Sequence, residues 1–203
     1  MLEFIQSHID WLVIPGSYLI GSVSWGLIIG KLTRGIDVRD HGSGSTGSTN
    51  VLRTLGPRLG AFVFVLDVSK GILAILVAKI IGDEPLIDGL AALAVIIGHN
   101  WPIFSRFQGG RGIASAVGAL TILAPTATII AVVAFMPAVL ITRYVSLGSI
   151  LAVFSAVITM PILAFLDMAP WEYLSYTMIG GPLIILRHKE NIMRLLEGTE
   201  RRL

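Results

Sequence analysis

The run Ile113-Ala-Ser-Ala-Val-Gly-Ala-Leu-Thr-Ile-Leu-Ala124-Pro125-Thr-Ala-Thr-Ile-Ile-Ala-Val-Val-Ala-Phe-Met-Pro-Ala-Val-Leu-Ile-Thr142 decides the fold. It carries no charged side chain, so it is either one long tilted membrane helix or a hairpin of two shorter ones. Pro125, near its middle, favours the hairpin, because proline lacks the N–H a helix interior needs. At ~1.5 Å per residue the first arm, 113–124, is only about 18 Å long, short of the ~30 Å hydrocarbon core, which makes it a shallow arm or one that starts earlier.

Working outward, the rest of the chain has the same character. It has 203 residues, 54% of them hydrophobic and only 14% charged, with a mean hydropathy of +0.82. That composition belongs to integral membrane proteins. Cysteine is absent, which excludes disulfides and thiolate metal sites. The first apolar run follows Glu3 and Asp10 instead of a basic segment, so it reads as a retained span and not as a cleaved leader.

Apolar runs near 11–30, 59–81, 86–104, 113–124, 126–142, 147–166 and 173–186 give seven spans in a single polytopic domain, 1–203, with a tail at 187–203. In the first, Ser22, Gly26 and Gly30 recur every four residues, a stripe suited to close helix approach. With the hairpin, Lys31, Arg34, Arg39, Arg53, Arg58, Arg106, Arg111, Arg143, Arg187, Lys189, Arg194, Arg201 and Arg202 all fall on one side, and the opposite loops carry acids. The positive-inside rule then places the N-terminus outside and the C-terminus in the cytoplasm. A single helix over 113–142 would split the basic segments across the membrane. The expected fold is therefore an all-α integral membrane protein of seven transmembrane helices.

This topology brings three polar segments to the cytoplasmic face. The first, Gly42 to Gly56, holds four glycines and six hydroxyl side chains in fifteen residues. Its start, Gly42-Ser43-Gly44-Ser-Thr-Gly47, matches a dinucleotide fingerprint by letter, but that motif has meaning only between a strand and a helix, and here its flanks are membrane spans. As a P-loop it has Ser48 where lysine is needed. What remains is anion recognition: clustered glycines let backbone N–H groups approach a phosphate, and Ser43, Thr49, Asn50 and Arg53 can donate to it. The bland alternative is a flexible loop.

The second segment, His99 to Gly112, sets Arg111 among Gly109, Gly110 and Gly112, leaving room for a bidentate grip on phosphate; the plain alternative is an anchoring arginine. The third, Arg187 to Glu200, pairs Glu190 with Arg194 and Glu197 with Arg201 at i,i+4 and reads as an interfacial helix. Within the second span, Asp67 and Lys70 at i,i+3 form either an ion pair that fixes packing or part of a proton path or of the floor of a site.

Taken together these segments resemble the bacterial acyl-phosphate:glycerol-3-phosphate acyltransferases of the PlsY type. The resemblance rests on Gly42-Ser43-Gly44 with Thr49-Asn50-Val-Leu-Arg53, Asp67-Val-Ser-Lys70-Gly71, Gly98-His99 with Pro102 and Phe104, the Gly-Gly-Arg-Gly run, Arg143-Tyr-Val-Ser146-Leu, and Arg187-His188 with Asn191-Ile192 and Gly198-Thr-Glu200. It implies transfer of a fatty acyl group from acyl phosphate to the 1-hydroxyl of glycerol 3-phosphate at the inner membrane, with no cofactor, metal, nucleic acid or obligate protein partner. By motif match, Ser43, Thr49, Asn50 and Arg53 bind phosphate, Arg111 stands where the family usually has lysine, and His188 and Asn191 line the same site, with Ser146 and Ser149, beside Arg143, as further contributors. Ser45 is a second departure, since the family usually has asparagine there.

The reaction needs electrostatic positioning of the dianion and a proton acceptor, for which His99, His188 or the departing phosphate are candidates. An acyl-serine at Ser43 is disfavoured, because no His-Asp pair adjoins it in sequence. An acyl-CoA-dependent enzyme would carry a histidine followed four residues later by aspartate, a pattern absent at His8, His41, His99 and His188. A phosphate-ester transporter would show internal repeats, and none is evident.

Overall fold

The computed structural model describes residues 2–82 and 84–203, with side chains from residue 10 onward; Glu3, His8 and Asp83 fall outside what it describes at side-chain level. The chain forms ten α-helices among the described residues: α1 (Leu2–Gly21), α2 (Trp25–Arg34), α3 (Ser48–Leu55), α4 (Pro57–Ile81), α5 (Pro85–Asn100), α6 (Ile113–Leu123), α7 (Pro125–Thr142), α8 (Val145–Phe165), α9 (Leu174–Arg187) and α10 (Lys189–Leu196). Proline opens α4, α5 and α7, where its missing N–H costs nothing. The run at 113–142 is thus two helices that meet at Ala124, which caps both.

Five stretches are long and apolar enough to cross a membrane: Asp10–Arg34, Pro57–Ile81, Pro85–Ser105, Pro125–Thr142 and Val145–Phe165. α6, at 11 residues, and α9, at 14, fall below that length. Many apolar side chains face outward, Ile80 at 83% and Ile141 at 82% exposure among them, and hydrocarbon is the solvent in which such a surface costs nothing.

The first expected span is not one helix. The chain leaves helical geometry at Ser22–Ser24 and re-enters it at Trp25. The break is held from within, since Lys70 Nζ donates to Val23 O at 3.0 Å and Ser22 Oγ donates to Tyr18 O at 2.8 Å. A carbonyl released in apolar surroundings needs such a partner. Ser22, Gly26 and Gly30 therefore do not form one stripe against a neighbouring span. Gly26 lies against Thr46 O and Gly30 against the Val38 side chain, so the close approach is made by the loop that follows α2.

Two helix pairs are packed backbone to backbone. Gly21 of α1 abuts Val95 of α5, and Gly98 of α5 abuts Tyr18 O of α1. Likewise Gly71 of α4 meets Ser115 O of α6, and Gly118 of α6 meets Val68 O of α4. Ile75, Ile87, Val95 and Met160 fill the core between them. At the acid-bearing end of the bundle, Lys79 Nζ pairs with Asp88 Oδ2 at 2.8 Å, and Tyr173 Oη donates to the same oxygen at 3.2 Å.

The tail also differs from the helical reading. α10 ends at Leu196, Gly198 turns the chain at φ 69°, and among the described residues no ion pair joins Glu197 to Arg201. The segment folds back onto the α7–α8 junction, where Leu203 N donates to Arg143 O at 2.9 Å and the Arg202 guanidinium lies 5.4 Å from the Tyr144 ring centroid.

Because a Cβ at residue 118 would enter the α4 backbone, Gly118→Val should cost about 1–3 kcal/mol through overpacking. The check is the thermal midpoint in detergent, compared with Gly16→Ala, whose new methyl meets nothing within 4 Å and should leave the midpoint unchanged or slightly raised.

Candidate active site

The three polar segments converge on one cavity of ≈ 280 Å³, walled by residues from 43–67, 99–114, 135, 145–149, 188–191 and the tail. Of the expected site residues, Ser43, Thr49, Asn50, Arg53, His99, Arg111, Ser146, Ser149, His188 and Asn191 line it. Gly42, Gly44, Gly109 and Gly110 are not among the lining residues; they shape its walls from behind.

The Gly42–Gly47 loop is held by Asn50. Its Nδ2 donates to Val38 O and Ser45 O, both at 2.8 Å, and to His41 O at 3.1 Å, while its Oδ1 accepts from Ser43 N at 2.7 Å. Its amide donors are thus already committed to backbone carbonyls. Gly42, at φ 60°, packs its Cα directly on Asn50 Oδ1, leaving no room for a side chain. The loop delivers Gly47, Ser48 and Thr49 to the cavity lining at the start of α3, where Gly47 N donates to Ser45 Oγ at 3.1 Å and the N–H groups of the first turn have no acceptor within the helix.

Two guanidinium groups stand on the cavity. Arg53, in the last turn of α3, donates from Nη2 to Arg201 O at 2.9 Å, and its buried Nε has no partner among the described residues. Burial lowers its pKa from the ordinary arginine value, and Glu200 opposes the shift. Burial takes Arg111 to about 10, so it stays a cation at neutral pH, and a desolvated one. A weakly hydrated guanidinium with open donors suits phosphate.

Close to these two cations stands Glu200, which the sequence reading did not assign to the site. Its Oε1 accepts from Asn191 Nδ2 at 2.8 Å and Ser146 Oγ at 3.1 Å, and its Oε2 from Arg194 Nε at 2.9 Å. Burial raises its pKa, but these hydrogen bonds outweigh that and hold it below the usual carboxylate range. The i,i+4 reading gave Arg194 to Glu190, which lies farther off at 3.8 Å and is 81% exposed on its side chain. Only the position of Glu200, six residues after Arg194 and beyond a glycine, hinted at a folded-back carboxylate.

Glu200 orients Asn191 so that its buried Oδ1 is left without a partner. One helical turn earlier, His188 Nδ1 bonds Ile184 O at 2.8 Å. A carbonyl can only accept, so Nδ1 carries the proton and Nε2 is the acceptor nitrogen. Burial lowers the His188 pKa to about 4, so the ring is neutral at physiological pH. The cavity is therefore lined both by cationic donors, Arg53 and Arg111, and by a neutral imidazole, with the Glu200 carboxylate close to both arginines.

His99 has a different setting. Its Nδ1 lies 3.2 Å from Ser115 Oγ and 3.6 Å from Asp67 Oδ1, and Gly110 packs on its Nε2. The space cleared by Gly109 and Gly110 is thus filled by His99, Asn100 and Pro102, not left around the Arg111 guanidinium. Among the described residues no group of three or more His, Asp or Glu side chains converges as a metal site would.

The family profile described as glycerol-3-phosphate acyltransferase matches residues 11–198. A glycerol-3-phosphate acyltransferase of Halalkalibacterium halodurans is 43% identical over 200 residues, covering 97% of this chain and 96% of its own. Glycerol-3-phosphate acyltransferase 2 of Moorella thermoacetica is 44% identical over 187 residues, covering 92% and 94%. Crystal structures of PlsY (YgiH), an integral membrane glycerol 3-phosphate acyltransferase, superpose with TM-scores of 0.87 in the glycerol 3-phosphate form and 0.85 in the lysophosphatidic acid form, at 38% identity over 96% of this chain and 95% of theirs. The chain belongs to the glycerol-3-phosphate acyltransferase family of integral membrane proteins.

Proposed function

We propose that this protein transfers a fatty acyl group from acyl phosphate to the 1-hydroxyl of sn-glycerol 3-phosphate, giving lysophosphatidic acid and phosphate. The observation that carries this reading is that Arg53, Arg111, the start of α3, His188 and Asn191 all line one cavity. The guanidinium groups and the start of α3 hold phosphate, with Ser43 and Thr49 adding hydroxyls, and His188, whose Nε2 is an acceptor nitrogen, receives a hydroxyl of glycerol beside Asn191, Ser146 and Ser149. Ile113 also lines a second, apolar cavity among α5, α6, α7, α8 and α9, which at ≈ 50 Å³ is too small to hold a fatty chain.

In the step itself, the 1-hydroxyl oxygen bonds to the acyl carbonyl carbon, the bond from that carbon to the phosphate oxygen breaks, and phosphate leaves with the electron pair. The hydroxyl proton needs an acceptor. His188, with a pKa of about 4, is a weaker base than a phosphate group, whose second pKa is ~6. The departing phosphate therefore takes the proton, and His188 orients the hydroxyl. Arg53 and Arg111 stabilise the charge that gathers on the leaving group. Among the described residues no histidine is hydrogen-bonded to Ser43 Oγ, which supports direct transfer over an acyl-serine.

The membrane placement that fits is a single domain of seven spans, with α6 and α9 as the short ones, the N-terminus outside, and the cavity and C-terminus on the cytoplasmic face. The charge asymmetry of the chain supports it.

Purified protein supplied with palmitoyl phosphate and glycerol 3-phosphate should form lysophosphatidic acid and phosphate, and product from acyl-CoA alone would refute the donor. Arg53→Ala and Arg111→Ala should each lower kcat/KM by roughly 10²-fold or more, in the range of lost transition-state donors. Single cysteines at Ser45 and Thr199, introduced into this cysteine-free chain, should react with an impermeant maleimide from the same, cytoplasmic side of sealed vesicles. The folded-state pKa of His188 lies below its unfolded value of ~6.5, so its contribution of about 2–3 kcal/mol is complete above pH ~6.5 and disappears as pH falls toward 4. The thermal midpoint should decline across that window, and less steeply in His188→Asn.

A further inference from the structure

Asp67 and Lys70 make an ion pair at 2.8 Å inside α4, with both side chains almost completely buried. The pair is not self-contained. Lys70 also holds Val23 O in the α1–α2 break, and Asp67 both lines the cavity and lies against His99 Nδ1, which Ser115 Oγ approaches from α6. His99 in turn forms the bed of the turn that carries Arg111. Gly110 Cα rests on the imidazole Nε2, Gly110 N donates to His99 O at 3.0 Å, and Gly110 O accepts from Arg187 Nε and Nη2, both at 3.2 Å. Arg111 is the next residue.

We propose that Asp67 is a positioning residue: anchored by Lys70, it fixes the His99 ring, and through that ring the Gly110–Arg111 turn, so that it sets how tightly Arg111 grips a phosphate. Asp67 lines the cavity but, as an acceptor-only carboxylate, offers phosphate no hydrogen-bond donor, and its contact with His99 links it to the Gly110–Arg111 turn. An ion pair that served packing alone would be indifferent to the orientation of His99, whereas here a carboxylate, a hydroxyl and a glycine enclose the ring. The proposal rests on the reading of Arg111 as a phosphate ligand.

The test uses inorganic phosphate as the probe and reads its affinity from the phosphate-dependent rise in thermal midpoint of the full-length protein in nanodiscs. Asp67→Asn should weaken phosphate about tenfold and Ser115→Ala about threefold, while Asp67→Asn should add no further loss to Arg111→Ala, because residues acting through one group are non-additive. If the unpaired lysine prevents Asp67→Asn from folding, Asp67→Asn with Lys70→Gln, which buries no lone charge, takes its place under the same expectation. Unchanged phosphate affinity in these variants, an additive loss with Arg111→Ala, or no phosphate-dependent rise in the wild type overturns the proposal. Acyl transfer plays no part in the readout, so a wild type that binds phosphate yet forms no lysophosphatidic acid refutes the proposed reaction and leaves this test standing.

Discussion

The Glu200 carboxylate takes hydrogen bonds from Ser146 at the start of α8 and from Asn191 and Arg194 on α10. A carboxylate withdrawn from water survives only if its oxygens are satisfied, and three donors, one of them a guanidinium, meet that demand. The same bonds tie the tail to the bundle, hold Asn191 in the cavity wall and offset part of the positive field of Arg53 and Arg111. Without it, that end of the molecule would hold several mutually repelling cations around an incomplete wall.

The rest of the cavity obeys a related rule, in which groups that resemble ligands serve as scaffold one layer back. Asn50 spends its amide on the loop carbonyls, and His99 lies beneath the Arg111 turn, while Arg53 Nε and Asn191 Oδ1 keep buried, unpartnered atoms. In native proteins such orphaned atoms are few.

Composition and rigid backbone rules made part of this legible from sequence. An apolar, charge-poor chain is helical in a membrane because lipid leaves the backbone no other partner, and Pro125 divides the run at 113–142 into two helices. The meeting of the segments around Arg53, Arg111 and His188 followed from the sidedness of the basic residues. Contacts between distant positions could not be read this way. The break at Ser22–Ser24 depends on a lysine 47 residues away, and nothing local distinguishes it from a continuous helix with a small-residue stripe. From sequence Glu200 reads only as the end of an interfacial helix, because its donor Ser146 is 54 residues distant. Asn50 and His99 were open to either role, since the chemistry that recognises phosphate also recognises carbonyls and carboxylates.

The cavity is only ≈ 280 Å³, at the lower edge of the ~300–1,000 Å³ typical of pockets that enclose drug-sized ligands. Two polar headgroups, not a whole lipid, are matched to such a space. Under the proposed reaction the long tail of the donor stays among its neighbours in the bilayer, so none of the ~0.8 kcal/mol per methylene that holds it there must be recovered by the protein. The chemistry is brought to the lipid where it lies, and the product begins its existence already dissolved in the leaflet that will use it.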